Sequence, residues 1–215
     1  MTPHYNLIIA TPGHSMEAEY VKSLVETIDY LTKEEVYFKF LSEYASNVFN
    51  AREATACGSL YLNPSSNEIG TGSFTYDKLL WIDSDMSWTP EDILKICESE
   101  YDITSGVYFN AEGAVMIQTI DGGTLLREQV RNLRDPFEIN AAGFGFICFK
   151  QGVFESIGRP WFTPVFFDIE QDGKTFSVPY GEDFSLCFKA KEAGYKIFLD
   201  PTITLGHNKK VMLRI

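Results

Sequence analysis

The segment from Leu79 to Met86, of sequence LLWIDSDM, decides the fold class because a short apolar run ends abruptly in two acidic residues. Four consecutive large apolar side chains predict a strand that is buried on both faces of a sheet. The acids then lie at its carboxyl end, where open α/β sheets bind ligands. In an extended segment, side chains two residues apart point the same way, so Asp83 and Asp85 are predicted to face one point. Two carboxylates at one point suit Mg²⁺ or Mn²⁺, particularly when a diphosphate completes the coordination shell.

The same segment also has a simpler interpretation, in which it forms a strand-to-helix turn. Asp85 or Ser87 would then cap a helix that starts near Pro90. The two interpretations differ in function, and Asp-Ser-Asp alone does not distinguish them.

Composition and charge limit the classes of protein that the chain can represent. A length of 215 residues with 45% hydrophobic and 14% aromatic residues predicts one ordered α/β domain over residues 1–215. The formal net charge of -12 disfavours nucleic acid and anionic membranes as partners. A nucleotide ligand would therefore need a local cation.

The cysteines and the amino terminus both favour a cytoplasmic protein. The four cysteines show no CxxC spacing, so we expect reduced thiols rather than disulfides or a zinc site. The first ten residues have no basic region and only a brief apolar run, so we expect neither a signal peptide nor a membrane span.

Helical and strand patterns alternate along the chain, and this alternation predicts a parallel sheet flanked by helices. The predicted helices span residues 16–31, 47–62, 90–98 and 180–193. Ser15 is the predicted N-cap of the first helix and Thr89 that of the third, and Val48 is predicted to face inward from the second. The predicted strands span residues 5–10, 36–40, 79–82, 102–107, 114–120, 196–200 and 202–205. We interpret residues 63–73 and 127–138 as loops, and residues 162–176 as a loop over a pocket or a surface hairpin.

Four further features have both a functional and a structural interpretation. Arg52 in the second helix is either a ligand contact or a solvated ion-pair partner. The glycines in the apolar segment 141–149 either let a ligand approach the backbone or mark a bend. Glu182 and Asp183 suit the positive end of a helix dipole whether or not they do chemistry. His207 follows the last strand and is either a ligand or a surface residue.

These features follow one another in a fixed order: paired acids, then an acidic pair at a helix start, then a histidine. This order resembles that of GT-A fold glycosyltransferases. Asp83-Ser84-Asp85 matches their DxD motif, Glu182-Asp183 their ED motif, and His207 the carboxyl-terminal histidine of metal-dependent members. The resemblance spans nearly the whole chain. The compact length is similar to the short glycosyltransferases of large viruses and phages, such as the amino-terminal domain of a chlorella virus enzyme, which would place the protein in a host cytoplasm.

This resemblance implies a mixed, mostly parallel GT-A sheet of the Rossmann-like type and a role for each matching residue. It implies Mn²⁺ or Mg²⁺ bound by Asp83, Asp85 and His207, and Asp183 as catalytic base with Glu182 in reserve. It places the nucleotide-sugar donor against Thr11, Pro12, Arg52, Asp83 and Ser84. The donor sugar would lie against Ala142, Gly143 and Phe144.

The implied reaction is transfer of a hexose from a nucleoside diphosphate sugar, expected to be a UDP-sugar, to a hydroxyl of a glycan or glycoprotein. A metal would stabilise the charge on the leaving diphosphate, and a carboxylate base implies an inverting reaction. A retaining reaction at the same site stays open, as do a sugar nucleotidyltransferase and a non-catalytic binding module. Acceptor recognition is expected from residues 127–138 and 162–176 or from a continuation of the chain, and the protein is expected to be a monomer or part of a longer multidomain chain.

Overall fold

A computed structural model describes residues 2–58 and 66–209. The helices are α1 (Ala18–Lys33), α2 (Val48–Cys57), α3 (Pro90–Glu98), α4 (Arg127–Val130), α5 (Val153–Ile157) and α6 (Glu182–Glu192), with a 3₁₀ turn at Ile69–Gly72. The strands are β1 (His4–Ala10), β2 (Phe38–Leu41), β3 (Thr75–Ile82), β4 (Met86–Ser87), β5 (Ile103–Val107), β6 (Ile117–Gln118), β7 (Phe137–Ile139), β8 (Ala141–Ala142), β9 (Phe146–Lys150), β10 (Phe166–Gln171), β11 (Lys174–Pro179), β12 (Ile197–Thr204) and β13 (Gly206–His207).

A seven-stranded sheet with the order β2-β1-β3-β9-β5-β12-β7 forms the centre of the protein. Strands β2, β1, β3, β5 and β12 run in one direction, and β9 and β7 run against it. The mixed, mostly parallel sheet that the resemblance implies is therefore confirmed, whereas the alternating pattern alone predicts a parallel sheet without the reversed strands β9 and β7. Three short pairs, β10 with β11, β13 with β4 and β6 with β8, lie outside this sheet.

Helices cover both faces of the sheet, and β3 contributes side chains to both layers of the core. Leu79 and Trp81 pack in the cluster that includes side chains from α2, α5 and α6. Leu80 and Ile82 pack in the opposite cluster, with side chains from α1 and α3. All four are fully buried, which confirms the prediction of a strand covered on both faces.

Helix α3 has the predicted bounds and a capping box at Thr89, whose backbone N–H and hydroxyl both donate to the carboxylate of Asp92. Because Thr89 is the cap, the interpretation of Asp85 or Ser87 as the cap is wrong. Helix α1 begins after Glu17 rather than Ser15, since Glu17 is the last residue with extended backbone before the helix.

Helix α2 is shorter than predicted. It ends at Cys57 because Gly58 adopts a left-handed conformation with φ of 68°. Residues 59–65, which include the predicted end of this helix and the start of the predicted loop 63–73, lie outside the described residues. At the other end Asn47 caps the helix, and Val48, predicted to face inward, is exposed.

Two predictions in the second half of the chain need correction, and one pair of alternatives is decided. Within residues 114–120 only Ile117–Gln118 forms a strand. The predicted loop 127–138 contains α4 and the start of β7. Residues 162–176 contain strand β10 and part of β11, which form an antiparallel hairpin, so the hairpin alternative was the right one.

Two smaller outcomes complete the comparison with the sequence. The strands predicted at residues 196–200 and 202–205 are one strand, β12, with a register shift between Leu199 and Thr204. The four cysteines are free thiols, of which Cys57, Cys148 and Cys187 are buried and Cys97 is partly buried. Within residues 2–58 and 66–209, no helix combines the length and the apolar character needed to cross a membrane.

Candidate active site

The carboxyl ends of the five codirectional strands meet at one edge of the sheet. Strand β1 leads there into Thr11, β3 into Asp83, β5 into Tyr108, and β12 through Leu205 towards His207. The predicted site residues that follow these strands are therefore collected at a single edge.

The Asp83-Ser84-Asp85 segment is a turn rather than a continuation of β3. The backbone N–H of Met86 donates to the carbonyl of Asp83, and this bond reverses the chain before β4. Side chains alternate in direction only where the backbone is extended, and this segment is a turn. The prediction that both acids face one point because the segment is extended is therefore wrong. The carboxylates of Asp83 and Asp85 instead pair with different partners.

Arg52 joins the Asp83 turn to the start of α6. Its Nη2 donates to Oδ1 of Asp83 at 2.9 Å, and its Nε donates to Oε1 of Glu182 at 3.0 Å. Arg52 is 3% exposed, and its guanidinium lies over the rings of Phe144 and Trp81. Burial alone would lower its pKa, but the two carboxylates outweigh burial and raise it, so Arg52 stays charged. Arg52 is an ion-pair partner, as one interpretation has it, but it is buried rather than solvated, and its partners are distant in sequence.

Asp85 lies between the side chains of His207 and Lys209. Its Oδ2 is 3.3 Å from Nε2 of His207 and 2.9 Å from Nζ of Lys209. Burial raises the pKa of Asp85, but the hydrogen bonds from these two neighbours outweigh burial and lower the pKa to about 2. The pairing of β13 with β4 brings His207 to this position, because it places His207 opposite Met86.

The tautomer of His207 follows from its second contact. Nδ1 of His207 is 2.7 Å from the carbonyl oxygen of Phe109, and because a carbonyl only accepts, Nδ1 carries a proton. Nε2 then faces the Asp85 carboxylate either as a second N–H or with a free lone pair. This orientation, with the remote nitrogen bonded to a backbone carbonyl, is typical of histidines that bind metals.

Asp183 lies in the first turn of α6, and its two carboxylate oxygens have different surroundings. Oδ1 accepts a hydrogen bond of 2.7 Å from the backbone N–H of Phe184. Oδ2 faces Gly143, where it would be 3.5 Å from an added Cβ. Burial and the charge of Glu182 raise the pKa of Asp183 to about 6. Asp183 is therefore an acid that changes its charge state close to neutral pH.

Tyr108 occupies the space beside Gly143 and Gly145. Its hydroxyl accepts a hydrogen bond of 2.9 Å from the N–H of Gly145, and its ring meets the His207 ring edge-on at 5.3 Å. A Cβ on Gly143 would lie 2.3 Å from the Tyr108 hydroxyl, and one on Gly145 2.5 Å from its Cζ. Close approach of Tyr108 therefore explains both glycines.

A cleft of about 380 Å³ opens beside the Asp83 turn. Pro12, Gly13 and Tyr44 line one part of it, and Arg52 with the Asp83–Asp85 turn lines another. Its volume lies within the range of small-ligand sites, roughly 300–1,000 Å³. Tyr44 also stacks on His14 at 5.0 Å, so the cleft has an aromatic wall as well as charged groups.

No protein-family model and no curated protein sequence matches the chain, whereas solved structures do. Protein A197 from STIV matches with a TM-score of 0.53 and 17% identity, over 98% of this chain and 97% of that one. The catalytic domain of Drosophila β1,4-galactosyltransferase 7, solved with xylobiose, matches with a TM-score of 0.52 and 12% identity, over 96% of this chain and 71% of that one. GalNAc-T7, solved with UDP, GalNAc and Mn²⁺, matches with a TM-score of 0.55 and 13% identity, over 96% of this chain but 44% of that one.

The chain has the GT-A fold. At 12–17% identity this similarity concerns the fold alone, so the role of each residue has to be argued from its own geometry.

Within this GT-A domain the predicted site residues fall into two groups. One group lies at the edge described above. In it, Asp83 and Glu182 accept hydrogen bonds from Arg52, the Asp85 carboxylate contacts His207, and Asp183 faces Gly143. The other group has side chains directed into the protein. Thr11 is fully buried and hydrogen-bonds to Tyr20, and Phe144 packs on Trp81 and Phe162. Ala142 is also fully buried.

Three residues near the site were absent from the sequence prediction. Tyr108 follows a predicted strand at the ligand-binding edge, and this position could have indicated it. Lys209 lies two residues after His207, close enough in sequence for its charge to have been considered. Tyr44 follows β2 in a stretch without any pattern, so the sequence held no comparable signal for it.

The predicted metal ligands Asp83, Asp85 and His207 are not collected around one point. Among the described residues, no group of three His, Cys, Asp or Glu side chains is arranged to hold a metal ion. The pair Asp85 and His207 nevertheless fits a divalent cation, because an imidazole nitrogen and a carboxylate oxygen 3.3 Å apart are both ligands for Mn²⁺. The Lys209 ammonium supplies positive charge to the same carboxylate oxygen.

Proposed function

We propose that this GT-A domain is a metal-dependent glycosyltransferase that moves a hexose from a UDP-sugar to a hydroxyl of a glycan or glycoprotein. The observation that carries the proposal is the double hydrogen bond of Arg52 to Asp83 and Glu182. It holds the turn that would bind the donor against the helix that carries Asp183. The structural neighbours support the proposal, because GalNAc-T7 was solved with UDP, GalNAc and Mn²⁺.

The donor would occupy the cleft beside the Asp83 turn. Tyr44 offers an aromatic face for the nucleotide base. Arg52 donates to Oδ1 of Asp83, so Oδ2 can accept a hydrogen bond from a ribose or sugar hydroxyl. Ser84 lies in the same lining. Ala142, Gly143 and Phe144 are all buried, so we do not assign the donor-sugar wall to them.

Asp85 and His207 would hold the metal, which was Mn²⁺ in the GalNAc-T7 structure, with phosphate oxygens of the donor as further ligands. The bound metal would act as a Lewis acid that stabilises negative charge on the departing diphosphate. The Nδ1 contact with Phe109 keeps the His207 ring in one orientation, so that Nε2 faces Asp85. Asp83 would stay with Arg52 and contact the donor.

Asp183 would be the general base of an inverting reaction. Its pKa of about 6 keeps it ionised at neutral pH and still leaves it basic enough to accept a proton. As the acceptor oxygen forms its bond to the anomeric carbon, the bond from that carbon to the diphosphate oxygen breaks, and the hydroxyl proton passes to Oδ2 of Asp183. The Phe184 N–H fixes Oδ1 and so holds the carboxylate in position.

The origin of the protein forms part of the proposal. A197, a viral protein from STIV, corresponds to this chain over nearly the full length of both, which supports a viral origin. Action in the host cytoplasm, by this domain alone or within a longer chain, belongs to the same proposal.

The decisive experiment is incubation with UDP-, GDP- and CMP-sugars in Mn²⁺ or in EDTA, scored for release of the nucleotide. We expect slow UDP release from one UDP-sugar in Mn²⁺ and none in EDTA. A parallel incubation with a nucleoside triphosphate and a sugar phosphate is scored for pyrophosphate, whose release would instead identify a nucleotidyltransferase. UDP release that is unchanged by EDTA would contradict the metal-dependent mechanism.

A further inference from the structure

A second cleft, of about 530 Å³, lies next to the candidate active site and is lined by three arginines. Arg127, Arg131 and Arg134 come from α4 and the residues after it, and they share the lining with Phe109 and Pro201. The guanidinium of Arg127 lies over the Phe109 ring at 4.8 Å, and Arg134 donates to the carbonyls of Arg131 and Leu133. Contacts of this kind hold two of the three cations in place.

The charge of this cleft is opposite to that of the protein. The chain has a net charge of -12, yet three of its six arginines lie here. Within the described ranges 2–58 and 66–209, no Asp or Glu carboxylate lies within 4.0 Å of any of the three, whereas Arg52 has two such partners. Glu128 is the acidic residue in the lining, so the lining remains positive. An exposed positive cleft without acidic partners is suited to an anion.

The cleft adjoins the acceptor side of the proposed reaction centre. The carbonyl of Phe109 contacts His207, and the preceding residue, Tyr108, lies against Gly143, which Asp183 faces. The donor cleft is lined instead by residues around Pro12, Tyr44 and Asp83. Phe109, whose ring lies under the Arg127 guanidinium, therefore connects the arginine cleft to the side of the site that carries His207, Tyr108 and Asp183.

We propose that the arginine cleft binds an anionic saccharide, in which a carboxylate, sulfate or phosphate group on the sugar pairs with the arginines. A planar guanidinium binds such groups through two parallel hydrogen bonds, and Phe109 and Pro201 add apolar surface to the lining, against which the C–H groups of a sugar can pack. An anionic membrane is a poorer match, because a chain of net charge -12 is repelled from such a surface. The role of this saccharide as the acceptor rests on the proposed function. The binding of an anionic saccharide to the arginine cleft does not.

Binding is measured by calorimetry with sucrose octasulfate as the anionic probe and sucrose as the neutral one, at physiological ionic strength. The test variant is Arg131→Gln with Arg134→Gln. The matched control, Lys22→Gln with Lys174→Gln, removes two positive charges from exposed sites on α1 and on the β10–β11 hairpin. We expect the arginine variant to lose about tenfold or more in affinity for the octasulfate, and the control less than about twofold. Sucrose should not bind measurably to any of them.

Equal octasulfate affinity in all three proteins would overturn the proposal, as would the absence of binding to the wild type. Arginine-dependent binding to phosphatidylserine vesicles, without arginine-dependent octasulfate binding, would overturn it in favour of a lipid site. Mn²⁺-dependent UDP binding, measured on the same proteins, should be unchanged in the arginine variant. If UDP fails to bind the wild type, the proposed function and the acceptor role fail, while the anion site is judged on the octasulfate data alone.

Discussion

Arg52 donates from Nε to Oε1 of Glu182 at 3.0 Å, although the two residues are 130 positions apart in the sequence. The same guanidinium donates from Nη2 to Asp83, so one buried cation holds together two acidic motifs that are distant in the chain. The geometry of the candidate site depends on this connection, because both acids would otherwise repel each other at the same edge of the sheet.

Replacement of Arg52 by Met should therefore damage both stability and donor binding. The substitution leaves Glu182, which is largely buried, without its cation, and such a loss typically costs about 3 kcal/mol or more in the free energy of unfolding. Chemical denaturation measures this change. Lys33→Met, which breaks the exposed pair of Lys33 with Asp29, is the control and should cost about 0.5 kcal/mol or less. Similar losses in the two variants would show that the Arg52 connection is not structurally important.

The parts of the fold that could be predicted are those whose signals are local. Strand β3 was recognised from four apolar neighbours, and α3 from Thr89, Pro90 and Asp92, which all lie within one helical turn. The turn at Asp83–Met86 is one of two interpretations that the sequence leaves open for this segment. The sequence does not decide between them, because the turn contains no glycine or proline and its geometry accompanies the pairing of β4 with β13 about 120 residues later. The partners of Arg52 and the contact of Lys209 with Asp85 depend on equally distant parts of the chain.

The two glycines beside Tyr108 allow a test of local packing. Gly143→Ala should destabilise the protein by about 1–3 kcal/mol, because its Cβ would lie 2.3 Å from the Tyr108 hydroxyl. Tyr108→Phe removes that oxygen, and the next ring atom, Cζ, is 3.5 Å from the added Cβ. The double variant should therefore be destabilised by less than the sum of the two single variants, as measured by a double-mutant cycle.

Gly145→Ala is the matched control for this cycle. Its Cβ would meet Cζ of Tyr108 at 2.5 Å, Cε2 at 2.8 Å and the hydroxyl oxygen at 2.9 Å, and the two nearest of these atoms remain in Tyr108→Phe. We therefore expect much less relief than at Gly143 when these two substitutions are combined. Equal relief at both glycines would contradict the position of the Tyr108 hydroxyl.

The metal proposal predicts opposite effects for the two neighbours of Asp85. His207→Ala should weaken Mn²⁺ binding at least about tenfold, because it removes a ligand. Lys209→Met should strengthen Mn²⁺ binding in the absence of nucleotide by about fivefold, because it removes a cation that competes for Oδ2 at 2.9 Å, an interaction of roughly 1 kcal/mol. Titration with Mn²⁺ followed by electron paramagnetic resonance measures both affinities. His4→Ala, at an exposed site, is the control, and a Lys209→Met protein that binds Mn²⁺ more weakly would argue against competition.

Replacement of Asp183 distinguishes a catalytic function from a binding function. Asp183→Asn should keep Mn²⁺-dependent UDP binding but reduce transfer by about 10²–10⁴-fold, the usual contribution of a general base. In the wild type, kcat/KM should rise with pH through an apparent pKa of about 6, where Asp183 loses its proton, and this step should be absent from the residual activity of the variant. Glu192→Gln, at the other end of α6, is the matched control and should retain both activity and profile.

The stability of the Asp183→Asn variant provides an independent check on the raised pKa. The pKa of Asp183 is about 6 in the folded protein, against an ordinary value of 3.8, so the folded state binds the proton more tightly. The ionised carboxylate therefore lowers the free energy of unfolding progressively as the pH rises from about 3.8 to about 6, and the full penalty applies above that window. Asparagine has no such penalty, so the variant should gain stability relative to the wild type across the same window. A stability difference between the two proteins that does not change with pH would show that Asp183 has an ordinary pKa and is less suited to act as the base.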